Sequence, residues 1–288
     1  MNFNLHTHTN YSDGSSDPED YIKEAINQGF DTLGFSDHSP VPFENSFAIQ
    51  EEEIENYIRA ILQLKNTYSF MSAAPGINIL LALEIDFIPG VTLPINHYHK
   101  NHHFDYFIGS VHLVKNKESE KLWFIDGPDM MIYDNGLKDI FSGDARKAVT
   151  AYYRQVQEMI ITQKPDIVGH LDKIKMYNRD RFFSEKEPWY VGLVNETLDL
   201  ITGAGCVIEV NTRGIYKKRS ETLFPGPEIL KKILLRNIPV TVTSDAHKPN
   251  ELSLGFEEAR KTLMELGFKS TRLMTHEGWK DIPMSPVK

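Results

Sequence analysis

Short apolar runs alternate with amphipathic stretches along the chain. The runs at 3–5, 32–35, 77–83, 106–111, 166–168, 207–210 and 240–243 have the length and the β-branched or aromatic content of buried strands. Between them lie segments with helical periodicity. Residues 51–67 place Ile54, Tyr57, Ile58, Ile61, Leu62 and Lys65 at helical spacing, and 144–162 and 189–201 carry similar stripes. Helix starts are marked by Asp17-Pro18-Glu19, with Asp17 as the expected cap and Pro18 in the first turn, and by Pro227. Strands alternating with helices predict a mostly parallel sheet. Seven strands in 288 residues fit one α/β barrel domain spanning 1–288, and an eighth apolar run at 271–274 is expected to close or cap it.

The polar residues at the ends of these runs change the picture from fold to chemistry. The first run leads into His6 and His8, the second into Asp37 and His38, and the third into Glu84 and Asp86. The fourth gives His112, the fifth His170 and Asp172, the sixth Glu209 and Asn211, and the seventh Asp245 and His247. In a parallel barrel the carboxyl ends of all strands share one rim, where active sites are built, so these side chains are expected to converge. Residues i and i+2 of an extended segment project to the same side, as in His6/His8, Glu209/Asn211 and Asp245/His247. Imidazole and carboxylate together suit Zn, Mn or Fe. The denser cluster His97, His99, His102 and His103 precedes the fourth strand, which places it at the opposite end, and it reads as a polar loop; His276 also lies outside the pattern.

Composition narrows the partners. With 41% hydrophobic and 25% charged residues the chain can bury a sizeable core, and disorder is not expected. A formal net charge of -9 argues against non-specific nucleic-acid binding, which requires a face rich in Lys and Arg. Cys206, the single cysteine, sits in an apolar run and reads as a buried small hydrophobe, so a disulfide framework is absent and a cytoplasmic location is expected. The first residues lack the pattern of a signal peptide, and no run has the ~18 apolar residues of a membrane span.

The residues resemble the polymerase and histidinol phosphatase (PHP) superfamily, in particular its histidinol-phosphatase branch. The resemblance is carried by Leu5-His6-Thr7-His8-Thr9 with Ser12-Asp13-Gly14, Gly34-Phe35-Ser36-Asp37-His38-Ser39-Pro40, Leu83-Glu84-Ile85-Asp86 and Ile108-Gly109-Ser110-Val111-His112. It continues through Gly169-His170-Leu171-Asp172, Ile208-Glu209-Val210-Asn211-Thr212 and Thr243-Ser244-Asp245-Ala246-His247, in family order over nearly the whole chain. It implies a distorted seven-stranded TIM-like (βα)7 barrel with a site for three divalent ions. One ion would be held by His6, His8, Glu84 and Asp245, and Glu84 would bridge to a second held by His112 and His170. Asp13, His38 and His247 would hold the third; the position of Asp13 is often histidine elsewhere in the superfamily, and a carboxylate is a competent ligand there. Three divalent ions carry more positive charge than Glu84, Asp13 and Asp245 neutralise, which suits a phosphate dianion and a hydroxide formed from metal-activated water.

The implied activity is hydrolysis of L-histidinol phosphate, a small-molecule phosphate monoester, in histidine biosynthesis, with Glu84, Asp245 and His247 at the catalytic centre. Lys175, Arg213 and Lys217 follow the relevant strands and are the candidates for gripping phosphate, and Glu209 is a candidate either for the cationic end of the substrate or for orienting a ligand from behind. The sequence leaves open a phosphodiesterase or exonuclease acting on nucleotides, a non-catalytic metal-binding domain and amidohydrolase-type chemistry. Activity on a phosphodiester against a monoester separates the first of these. Oligomeric state has no signature in the sequence.

Overall fold

The computed structural model describes residues 2–69 and 76–284. Its strands are β1 (Phe3–Asn4), β2 (Thr32–Phe35), β3 (Asn78–Asp86), β4 (Tyr106–Ser110), β5 (Leu113–Lys115), β6 (Leu122–Phe124), β7 (Ile167–Val168), β8 (Val207–Asn211), β9 (Val240–Thr243), β10 (Ser270–Thr275) and β11 (Gly278–Pro283). The helices are α1 (Pro18–Asn27), α2 (Ile54–Ser69), α3 (Ile95–Asn101), α4 (Met130–Phe141), α5 (Ala145–Gln163), α6 (Pro188–Ala204), α7 (Arg213–Tyr216), α8 (Pro227–Leu235) and α9 (Phe256–Leu266).

Seven strands form one parallel sheet in the order β1-β2-β3-β4-β7-β8-β9, and all seven correspond to the apolar runs read from the sequence. A parallel bridge between Thr7 and Ala246 joins the two edges beyond the ends of β1 and β9. There the His8 amide donates to the Ala246 carbonyl at 2.9 Å and the Ala246 amide to the His6 carbonyl at 3.2 Å, so the barrel seam closes among the candidate ligands. Asn4 fastens the same seam, its side-chain amide donating to Ser244 Oγ at 2.8 Å.

The period-2 alternation of strands explains what fills the barrel. Leu80 and Ala82 of β3, Tyr106 and Ile108 of β4 and Val207 of β8 form an inner apolar cluster with Phe3, Leu5 and Ile167. Continuing each strand in the same phase gives Glu84 and Asp86, then Ser110 and His112, then Glu209 and Asn211, all buried. One inward face is therefore apolar at the amino end and ionisable at the carboxyl end. The alternate residues Ile79, Leu81, Leu83, Ile85 and Phe107 join the larger outer core beneath the helices. The run at 271–274 belongs to an antiparallel hairpin, β10–β11, whose Leu273 and Met274 join the inner cluster with Trp279 and Ile282 against it. It caps the amino end of the barrel and is not an eighth member of the sheet.

Some local expectations change. Asp17 stands at the cap position of α1 but gives its carboxylate to Asn10 Nδ2 at 2.5 Å, not to the helix. The histidine-rich segment is helical: α3 carries His97 and His99, while His102 pairs with Glu55 at 3.0 Å. Among the described residues no helix is long and apolar enough to cross a membrane.

Candidate metal centre

Glu84, in phase with Leu80 and Ala82, projects into the centre of the rim, and its two oxygens face different partners. Oε2 lies 3.2 Å from His6 Nε2 and 3.4 Å from His8 Nε2, whereas Oε1 lies 3.1 Å from His170 Nε2 and 3.7 Å from His112 Nε2. Ser110, two residues before His112, donates to Oε1 at 2.5 Å and fixes the carboxylate. Asp245 completes the first group, with Oδ1 3.4 Å from His8 Nε2 and 3.9 Å from His6 Nε2. Its backbone adopts φ 50°, a left-handed conformation uncommon outside glycine that aspartate tolerates better than most residues.

A third group lies at the open side. Asp13 Oδ1 is 3.1 Å from His247 Nε2, 3.8 Å from His8 Nδ1 and 3.9 Å from His38 Nε2. Asp13 is carried by a tight turn in which the Ser12 and Gly14 amides both donate to the Thr9 carbonyl. A Cβ at Gly14 would stand 2.1 Å from the His8 carbonyl oxygen, so the turn requires glycine there. Asp37, behind the turn, accepts from the Thr9 amide at 2.7 Å and from the Ser12 hydroxyl at 2.6 Å.

Two further carboxylates orient the rings from behind. Glu209 Oε1 meets His6 Nδ1 at 2.5 Å and accepts from Thr243, while Oε2 accepts the His170 amide at 2.6 Å. Asp86 meets His112 Nδ1 at 2.5 Å and His38 Nδ1 at 2.8 Å. A carboxylate on Nδ1 leaves Nε2 of the same ring as the free donor, and in His6, His38 and His112 Nε2 is the atom turned to the rim.

The nine side chains His6, His8, Asp13, His38, Glu84, His112, His170, Asp245 and His247 thus come together, in groups whose candidate donor atoms lie within 4.8 Å of one another. The donor set fits divalent metal ions on an independent observation: the buried atoms His6 Nε2, His8 Nδ1 and His8 Nε2 have no hydrogen-bond partner. Unpaired buried nitrogens are costly, and a cation at these points satisfies them together with the carboxylates. Without metal, burial opposes ionisation of Glu84, yet His6, His38 and His112 in their charged forms hold its pKa well below the ordinary range, a role that a bound cation would take over from them. Burial, with His247 and His38 nearby, lowers the His8 pKa to about 3, leaving a neutral ring with one nitrogen able to donate its lone pair.

The rim opens into a cavity of about 270 Å³ whose walls include Phe47, Phe124, Asp126, Lys173, Arg213 and Arg219. Of the basic residues expected from the sequence, only Arg213 reaches it, donating at 2.7 Å to the Asp245 carbonyl. Lys175 is buried against Asp172 at 2.6 Å and faces a separate cavity of about 460 Å³ beside Tyr190 and Ile229. Lys217 pairs with Glu251 and does not line the site cavity. Glu209 is fully buried with both oxygens engaged, so it cannot meet a substrate. Lys173, Asp126 and Arg219 were not anticipated: Lys173 pairs with Asp126 at 2.6 Å and stands 3.8 Å from Asp245 Oδ2. The Lys-x-Lys spacing was the only signal available. Residues two apart in a 3₁₀ turn, unlike those in a strand, point in different directions, and Lys173–Lys175 is such a turn.

Residues 4–213 match the PHP domain family. A probable histidinol-phosphatase of Deinococcus radiodurans is 27% identical over 252 residues, covering 87% of each chain. The histidinol-phosphatase of Bacillus subtilis is 26% identical over 271 residues, covering 88% of this chain and 96% of that one. Among solved structures, histidinol phosphate phosphatase from Lactococcus lactis superposes with a TM-score of 0.70 at 19% identity, covering 97% of this chain and 98% of that one. That protein was crystallised with zinc, L-histidinol and phosphate, and the likeness establishes the distorted barrel fold.

Proposed function

The chain belongs to the PHP domain family, and on that premise we propose that it hydrolyses L-histidinol phosphate to L-histidinol and inorganic phosphate, using three divalent ions of Zn, Mn or Fe. The observation that carries this reading is the divided carboxylate of Glu84, with one oxygen turned to His6 and His8 and the other to His112 and His170. His6, His8, Glu84 and Asp245 would hold one ion, Glu84, His112 and His170 a second, and Asp13, His38 and His247 a third. When bound, such ions supply Lewis acidity for activating water and for neutralising phosphate charge. Relatives named histidinol-phosphatase that align over most of the chain support the choice of substrate.

The chain's own residues bind and orient. Lys173 and Arg213 offer cationic donors beside Asp245, where a phosphate dianion seated on the metal ligands would present its outer oxygens. Arg219 adds a third cation on the cavity wall. Glu209 and Asp86 keep the ligand rings aimed, and Phe47 and Phe124 exclude water from one wall. On this reading the enzyme acts late in histidine biosynthesis in the cytoplasm, on a small molecule and not on nucleic acid.

The test pairs elemental analysis of protein purified without added metal with phosphate release from L-histidinol phosphate and cleavage of bis(p-nitrophenyl) phosphate. Bound transition metal with preference for the monoester is the expected result. Faster cleavage of the diester would replace this reading with a phosphodiesterase.

A further inference from the structure

The two cations that follow β8 part company at the rim: Arg213 lines the site cavity, whereas Lys217 does not. Their spacing keeps them together all the same. The Lys217 amide donates to the Arg213 carbonyl at 3.0 Å, so α7 makes a single turn and sets residues four apart on one face. This turn is fastened to the segment after β9. Thr212 Oγ1 donates to the Leu254 carbonyl at 2.6 Å, Arg213 Nη1 to the Asp245 carbonyl at 2.7 Å and the Tyr216 hydroxyl to the Ser244 carbonyl at 2.9 Å.

Glu251, buried in the turn Pro249–Glu251, stands between the two cations. Its Oε1 pairs with Lys217 Nζ, while its Oε2 accepts the His247 amide at 3.1 Å and lies 3.7 Å from Arg213 Nη1. One carboxylate thus meets the backbone of a candidate metal ligand, a cation of the site cavity and a cation outside it. An anion this close to Arg213 competes with a phosphate for the guanidinium charge, and burial weakens the screening that would otherwise hide the competition. Lys217 supplies the opposing charge. With Glu251 engaged by Lys217, Arg213 stays on the Asp245 carbonyl at the cavity wall.

We propose that Lys217 and Glu251 are positioning residues for phosphate binding: Lys217 holds Glu251 as its counter-ion, which leaves the Arg213 guanidinium beside Asp245 with its charge available to the substrate phosphate. This deepens the monoester reading and rests on it. Lys217 then serves the phosphate at one remove, through two side chains, without touching it.

The experiment is a double-mutant cycle on zinc-loaded protein, read as the affinity for inorganic phosphate by calorimetry and as KM and kcat on L-histidinol phosphate. Lys217→Met should weaken phosphate binding and raise KM about fivefold, with kcat and bound metal changed less than about twofold, because Glu251 then draws on Arg213. Lys217→Arg keeps the counter-ion and should recover most of that loss. In a Glu251→Gln background, Lys217→Met should alter phosphate affinity less than about twofold, since the anion that transmits its effect is gone. Equal losses in both backgrounds would show that Lys217 acts on phosphate directly, and no loss in either would show that Arg213 is indifferent to the pair; each result overturns the proposal. Should Glu251→Gln fail to fold, an Arg213→Ala background closes the cycle instead, and a full Lys217→Met loss there would sink the relay. The substrate reading fails separately, when wild type shows the coupling to inorganic phosphate yet releases none from L-histidinol phosphate. Additive losses alongside normal turnover of L-histidinol phosphate would leave that reading standing and remove the relay.

Discussion

At the amino end of the barrel, Leu80, Ala82, Tyr106 and Ile108 pack against one another and are sealed by Leu273 and Met274 of the terminal hairpin. A few residues further along the same strands and on the same inward face stand Glu84, Asp86, Ser110 and His112. The first region is complete in itself, because apolar contact repays its burial. The second leaves buried imidazole nitrogens unpaired among carboxylates and is completed only by cations. Stability and chemistry are thus divided along the barrel axis within single strands, and a change at one end should be nearly silent at the other.

The sharpest break in that division is Glu84→Gln, which removes one of the three carboxylate charges among the candidate ligands while preserving shape. Bound metal should fall, and kcat on L-histidinol phosphate should drop on the order of 10²- to 10³-fold, with the unfolding midpoint of the metal-free protein little altered. Elemental analysis alongside steady-state kinetics checks this; full metal occupancy with normal turnover would show that the bridge is misplaced. At the other end, Leu273→Ala opens a cavity in the inner cluster and should cost about 2 to 5 kcal/mol in denaturant unfolding. Its kcat in native buffer should stay within about twofold of wild type. A parallel fall in kcat would show that the two ends are coupled.

The mildest of the three acts between the regions. Glu209→Gln keeps the bulk beneath His6 but removes the anion, and should weaken metal binding on the order of 10- to 100-fold. Histidinol phosphate and p-nitrophenyl phosphate should lose turnover equally, because Glu209 touches neither. A loss confined to histidinol phosphate would return Glu209 to substrate recognition.

The same division explains what the sequence revealed. Barrel strands were legible because each is a short apolar run ending in a metal-capable residue, and convergence followed from parallel topology alone. β3 runs on to Asp86, past its apolar stretch, because Glu84 and Asp86 keep the inward phase, so polarity there marks the rim and not the strand's end. The β5–β6 hairpin and α4 were missed: their apolar runs are short, and Gly136 interrupts the helical pattern, where a Cβ would stand 2.0 Å from the Trp123 ring. Asp126, Lys173 and Arg219 were hidden for a related reason. They lie on connections beyond the strands, where no periodicity fixes the direction of a side chain.

The seam carries a consequence for assembly of the chain. The Asn4–Ser244 hydrogen bond joins residues 240 apart in sequence, and beside it His6 and His8 meet Asp245. Bringing such distant segments together has a loop-closure entropy that local contacts do not repay. An ion shared by His6, His8 and Asp245, as proposed above, would act as a removable cross-link across nearly the full length of the chain, as a disulfide would in an oxidising compartment. The contact with the largest closure entropy in this topology would then also be the one that ligation rewards, and metal supply would bear on how stably the ring is closed as well as on what it does once closed.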